Sequence, residues 1–202
     1  MTSKKNKATG YDAFLRRVFK APLDKIASFL LKIGLVPNHI TILGLLGNIA
    51  AAILIARGEL LWAGLTAGLM APLDALDGAM ARARGNPGKF GAFFDSTIDR
   101  YDELLLLGGL IFYFFRQTSL LGVMLTFAAA AGSVLVPYAR ARAEALGMEA
   151  SVGILTRVGR AIVLILGLLI KQPLISVGII ALFANITAIQ RFVCVWKQSK
   201  TQ

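Results

Sequence analysis

Four aspartates constrain this chain more than anything else in it. Asp74, Asp77, Asp95 and Asp99 fall inside the stretch Leu73–Arg100, with long apolar runs on both sides. They are four of only eleven acidic residues. A carboxylate at the centre of a bilayer costs about 2.5–3.5 kcal/mol on insertion scales, so four together need compensation. Charged groups at membrane depth are normally functional, and their arrangement is therefore the first question.

The membrane setting follows from composition. Of 202 residues, 56% are hydrophobic. The mean hydropathy of +0.69 is too high for an ordinary soluble domain. Several apolar runs approach the ~20 residues needed for a helical crossing. The pattern predicts an all-α integral membrane protein with six transmembrane helices, preceded by an amphipathic interfacial helix. Residues 1–10 read as a disordered basic tail and 11–36 as the amphipathic juxtamembrane segment. In the latter, Phe14, Leu15, Val18, Leu23, Ile26, Leu30 and Ile33 alternate with basic residues. Residues 37–198 form the six-helix domain. The spans are expected near 41–56, 60–83, 91–115, 120–145, 154–170 and 174–196, with a polar break or tight turn between successive ones.

Charge placement orients them. Eighteen Lys and Arg residues fall on the N-terminal side of this six-span scheme, three on the other, and Arg100 lies within a span. The positive-inside rule puts the N-terminal side, and both termini, in the cytoplasm of a multi-pass cell-membrane protein. The net charge of +11 is thereby accounted for. The chain lacks the polar basic face with aromatic residues that nucleic acid requires, so no nucleic-acid partner is expected. No compact apolar core with a small-residue cleavage site marks a signal peptide. Cys194, the sole cysteine, cannot form an intrachain disulfide and sits in an apolar run. His39, the sole histidine, opens a helix, a place for capping rather than metal.

Helical spacing brings the aspartates onto shared faces. Asp74 and Asp77 are three residues apart, and Asp95 and Asp99 four apart. A rise of about 1.5 Å per residue sets Asp74 and Asp77 roughly 9 and 4–5 Å below the cytoplasmic boundary. The same rise sets Asp95 and Asp99 at roughly 6 and 12 Å. The two pairs overlap in depth on antiparallel helices, expected to be neighbours, and converge on one cytoplasm-facing site. Two divalent ions would balance four carboxylates, and all-oxygen ligation suits magnesium, manganese or calcium rather than zinc. Two such ions suit displacement at phosphorus. Gly78 and Gly91 allow close approach beside the carboxylates. Arg82, one turn after Gly78, can reach a phosphate. A divalent-cation transporter would also carry intramembrane carboxylates, but along a path across the bilayer rather than near one face.

The full pattern is D-x-x-D-G-x-x-A-R, eight residues, then G-x-x-x-D-x-x-x-D. It resembles the signature of the CDP-alcohol phosphatidyltransferase family at all eight fixed positions: Asp74, Asp77, Gly78, Ala81, Arg82, Gly91, Asp95 and Asp99. The resemblance implies transfer of a phosphatidyl-type group from CDP-diacylglycerol, or a related CDP-lipid, to an alcohol, with release of CMP. It implies that Asp74, Asp77, Asp95 and Asp99 hold the metal, Mg2+ or Mn2+, and that Asp99 is also the general base. Asp74, Asp77, Gly78, Ala81, Arg82 and Gly91 would bind the CDP-lipid. A homodimer among membrane lipids is implied as well.

A second motif bears on the acceptor. Y-A-R-A-R-A-E from Tyr138 to Glu144, and G-x-x-x-R-x-x-R from Gly153 to Arg160, set four arginines near the cytoplasmic ends of two spans. Paired arginines suit a phosphate. The pattern resembles the phosphatidylinositol phosphate synthase branch of the family, which implies inositol phosphate as acceptor, held by Arg142, Arg157 and Arg160. Another phosphorylated polyol such as glycerol 3-phosphate has the same anionic handle, and an archaeal-type lipid donor fits the same motif.

Overall fold

Proline and glycine punctuate the chain into helices. The computed structural model describes residues 22–85 and 88–200, and among these every regular element is a helix. Residues 22–32 form α1. The others are α2 (Pro37–Arg57), α3 (Leu60–Ala83), α4 (Lys89–Arg116), α5 (Leu120–Ala145), α6 (Arg157–Leu169) and α7 (Pro173–Ser199). Pro37 and Pro173 each open a helix, where a missing N–H costs nothing. Ser119 and Thr156 cap α5 and α6, their hydroxyls accepting from the N–H groups of Gly122 and Gly159 at 3.2 Å. Two prolines, Pro72 in α3 and Pro137 in α5, leave their helices unbroken.

The bounds expected for the spans fall close to the ends of these helices, with two departures. The fifth begins at Arg157, later than the expected Ile154, because the chain before it is extended and tied to α7. There the Thr187 hydroxyl accepts from the N–H groups of Ile154 and Leu155, both at 3.2 Å. Gly153 allows this approach, since a Cβ at that position would strike the Thr187 methyl. At 13 residues α6 is about 20 Å long, short of a hydrocarbon core about 30 Å thick. Three helices, α2, α5 and α7, are long and apolar enough to cross a bilayer. The second departure concerns packing. The aspartate-bearing α3 and α4 are not closely packed neighbours; both lie against α2.

Close packing among α2–α7 makes a closed circuit in the order α2, α3, α6, α7, α5, α4. Its core is Ile55, Leu107, Leu110, Leu168, Val177 and Ile180 with buried alanines between them. Large apolar side chains such as Leu69, Phe112, Phe127, Leu182 and Phe192 point outward on the bundle surface. A water-exposed bundle would not present such a surface, and the chain is a helical membrane protein.

The α2–α4 joint depends on one glycine. A Cβ on Gly109 would lie 2.6 Å from the Ala52 carbonyl oxygen, a backbone atom that cannot swing aside. Gly109→Ala is expected to destabilise the bundle by about 1–3 kcal/mol, as overpacking does. Gly108, with open space around it, is the internal control. A thermal midpoint in detergent that falls for G109A and holds for G108A is the expected result; equal midpoints would refute it.

Helix α1 packs across α2 and α3. Ala27 is fully buried, and Leu23, Leu30 and Leu31 join it against Ile40, Leu76, Ala79 and Met80. Ile26 and Phe29 remain exposed. The expected basic tail and the first half of the amphipathic segment lie outside the described residues.

Candidate active site

The aspartates sit where α3 and α4 face each other across α2, and α6 closes the third side. Asp77 is 3% exposed and Asp99 8%. These carboxylates need partners, because burying an unpaired charge is costly. Arg157, the first residue of α6, supplies one: its Nη2 lies 2.5 Å from Asp74 Oδ2 and 2.7 Å from Asp99 Oδ1. One guanidinium nitrogen therefore bridges the two aspartate-bearing helices. Arg100 approaches the other Asp99 oxygen at 3.4 Å. Asp95 is half-buried and within Coulomb range of Asp74, Asp77 and Asp99. Asp74 and Asp99, one from each pair, thus meet at one arginine, although α3 and α4 are not packed together.

Asp77 is held from below. The Thr41 hydroxyl of α2 donates to its Oδ2 at 2.7 Å, while Oδ1 is buried with no hydrogen-bond partner. An ionised oxygen left free in such a place suits a cation. The donor set is carboxylate throughout, which matches hard divalent ions. Among the described residues no three acidic, histidine or cysteine side chains close around one point. Arg157 stands between two of the carboxylates.

Behind the aspartates is a cavity of about 70 Å³. Asp74, Asp99, Asp102, Glu103, Arg157 and Arg160 line it, over an apolar floor that includes Leu106 and Leu164. Asp102 is 5% exposed, with Oδ1 unpartnered. Arg160 is 1% exposed. Its Nε and Nη2 donate to the two Glu103 carboxylate oxygens at 2.6 and 3.0 Å.

Of the residues expected to bind the CDP-lipid, Gly78, Ala81, Arg82 and Gly91 do not line this cavity. Gly78 leaves room for the Arg82 guanidinium, which would be 3.4 Å from a Cβ there. Arg82 is exposed, Ala81 is half-buried, and Gly91 faces the Asn38 side chain across α2. The three arginines expected at the acceptor do not stay together. Arg157 and Arg160 reach the aspartate cavity, but Arg142 is exposed and lines a separate groove of about 450 Å³ between α5 and α7. The reason is the circuit: α5 packs on α4 and α7, not on α6. Arg191 shares that groove and donates to the Val136 and Val152 carbonyls at 2.6 and 3.0 Å. Sequence spacing did not single out Thr41 or Arg191, whose contacts to Asp77, Val136 and Val152 are tertiary, nor Arg100, which pairs with its neighbour Asp99.

The fold and this constellation define an enzyme class. Residues 34–196 match the CDP-alcohol phosphatidyltransferase family model, and the chain belongs to that family. It is 37% identical over 178 residues to archaetidylinositol phosphate synthase of Pyrococcus horikoshii, covering 88% of this chain and 92% of that one. It is 35% identical over 187 residues to phosphatidylinositol phosphate synthase of Mycobacteroides abscessus, covering 87% and 84%. Among solved structures, Mycobacterium tuberculosis phosphatidylinositol phosphate synthase with CDP-DAG bound superposes with a TM-score of 0.80 at 32% identity, covering 86% and 93%. The same enzyme in complex with manganese and citrate gives 0.78 at 31%, covering 86% and 88%.

Proposed function

We propose that this enzyme transfers the phosphatidyl group of CDP-diacylglycerol to inositol phosphate, giving phosphatidylinositol phosphate and CMP. The observation that carries the reading is the meeting of Asp74 and Asp99, one from each aspartate pair, with Arg157 and Arg160 at one cavity. Identities of 37% and 35% to synthases of both lipid types support the acceptor and leave two donors to compare.

The roles follow from position. Asp74, Asp77, Asp95 and Asp99 would hold divalent metal, two ions in our reading, which when bound neutralises the diphosphate and the leaving CMP. Gly78, Ala81, Arg82 and Gly91, with Asp74 and Asp77, would receive the cytidine diphosphate end. Asp99 accepts the proton of the attacking hydroxyl. That oxygen bonds to the phosphorus bearing the diacylglycerol, the bond from this phosphorus to the bridging oxygen breaks, and CMP departs with the electron pair. Arg157 and Arg160 would hold the acceptor phosphate. The apolar floor keeps bulk water from competing as nucleophile.

The same reading includes a six-span arrangement with α3, α4 and α6 crossing beside the three apolar helices. In it the cavity opens to the cytoplasm, both termini lie on that side, the N-terminal segment rests in the interface, and the enzyme is a homodimer. Residues 37–198 form the catalytic domain, preceded by the segment 11–36 and the tail 1–10.

The test is CMP release by purified protein with magnesium or manganese and a panel of acceptors: inositol phosphate, glycerol 3-phosphate, free inositol and serine. Inositol phosphate should give the highest kcat/KM; preference for glycerol 3-phosphate overturns the acceptor. Running CDP-diacylglycerol beside its archaeal ether counterpart separates the donors. A further prediction concerns Thr41. Thr41→Val keeps the shape but removes the hydrogen bond to Asp77, and loss of such supporting partners typically weakens metal about 10–100-fold. The half-activating Mn2+ concentration should rise at least ~10-fold, at the low end of that range. An unchanged metal titration would show that Asp77 does not depend on Thr41.

A further inference from the structure

We infer that Glu103 is the positioning residue for the acceptor phosphate, acting through Arg160. The inference deepens the proposed function and rests on its assignment of Arg160 to the acceptor.

Arg160 is the largest of the fully buried side chains, and a guanidinium cannot shed its proton to escape that burial. Something must fix and balance it. Glu103 does both, gripping the Nε–Nη2 edge with both carboxylate oxygens at 2.6 and 3.0 Å. This two-point contact sets the plane of the guanidinium as well as its place. Glu103 comes from α4, one turn beyond Asp99, and Arg160 from α6, one turn beyond Arg157. The pair thus repeats, deeper in the bundle, the bridge that Arg157 makes to Asp99.

The grip leaves one end of the guanidinium unused. Nη1 of Arg160 is buried and has no hydrogen-bond partner. Buried donors are rarely left this way, and each such group calls for an explanation. Arg160 lines the same cavity as Asp74, Asp99 and Arg157. A phosphate oxygen entering beside the aspartates would meet the free Nη1 donors with the guanidinium already oriented. Pre-orientation of that kind lowers the cost of binding, because the side chain has no rotamer freedom left to lose. Glu103 itself, an anion, would not touch the phosphate.

The donor diphosphate and the acceptor phosphate both offer such an oxygen, and kinetics with each substrate varied separates them. Folded Glu103→Gln, which keeps the shape but loses the charge, should raise the KM for inositol phosphate at least tenfold. Its KM for CDP-diacylglycerol should move less than twofold. Glu103→Asp, retaining the charge on a shorter arm, should fall between wild type and E103Q. In an Arg160→Ala background, E103Q should add little to the acceptor KM, because its effect passes through Arg160. An unchanged acceptor KM in E103Q, or a rise confined to the CDP-lipid, overturns the inference. If E103Q does not fold, E103D carries the test: folded E103D with the wild-type acceptor KM overturns it equally. The underlying reading fails separately, if R160A leaves the acceptor KM unchanged. A rise in R160A without one in E103Q keeps that reading and removes Glu103 from it.

Discussion

Asp99→Asn is expected to lower CMP release about 10³-fold, within the 10²–10⁴ range for a positioned general base, while the protein stays folded. The substitution preserves side-chain shape at a position only 8% exposed, so packing in α4 is retained. Arg157 is not orphaned, because it keeps Asp74 at 2.5 Å. What disappears is a negative charge and the basic oxygen that takes the hydroxyl proton. The measurement is CMP release by purified protein, with elution volume and helical content in detergent as the folding control. Near-wild-type turnover in folded D99N would remove Asp99 from the mechanism.

The second large effect is expected on chelation. Six carboxylates, those of Asp74, Asp77, Asp95, Asp99, Asp102 and Glu103, gather around three guanidinium groups, those of Arg100, Arg157 and Arg160. The cluster carries excess negative charge, and the bound CDP-lipid would bring a diphosphate into it. Without divalent cation that encounter is repulsive at every step. Exhaustive chelation should therefore reduce turnover to background, and Mg2+ or Mn2+ should restore it. Added Mn2+ should also raise the thermal midpoint of wild type, since an ion bound only by the folded state stabilises it. D99N should show a smaller rise. Titration of Mn2+ by electron paramagnetic resonance gives the number of ions, expected to be two. Full turnover after chelation would refute the metal assignment.

Local signals in the sequence make much of this legible. The bounds of α3 and α5 follow from turn residues at their ends: Arg57-Gly58-Glu59 ahead of Leu60, and Ser119 ahead of Leu120. The aspartate faces follow from helical spacing. The partners of those aspartates were beyond reach. Thr41 lies 36 residues from Asp77, and Arg157 lies 83 from Asp74. No periodicity links positions so distant. Glu103 follows the aspartate motif in the sequence as a charge with no spacing partner, and its meaning depends on α6 lying beside the cavity. The arginines illustrate the opposite error. Arg142 and Arg157 look like one cluster because one ends α5 and the other begins α6, yet the packing circuit sends them to different cavities.

That circuit also bears on how the protein is made. Three of its joints, α2 with α4, α3 with α6 and α5 with α7, connect helices that are not consecutive in the chain. As synthesis proceeds, α3 and α4 bring all four aspartates to the membrane well before α6 has left the ribosome. Arg157 and Arg160 arrive only with α6, and α7 must follow to complete the circuit. Until then the carboxylates lack two of their three guanidinium partners. A chain stopped after Ala145 would carry the whole aspartate motif and still be an unfinished bundle, with its acids facing one another. The C-terminal third is therefore the part of the molecule that makes the central charges tolerable.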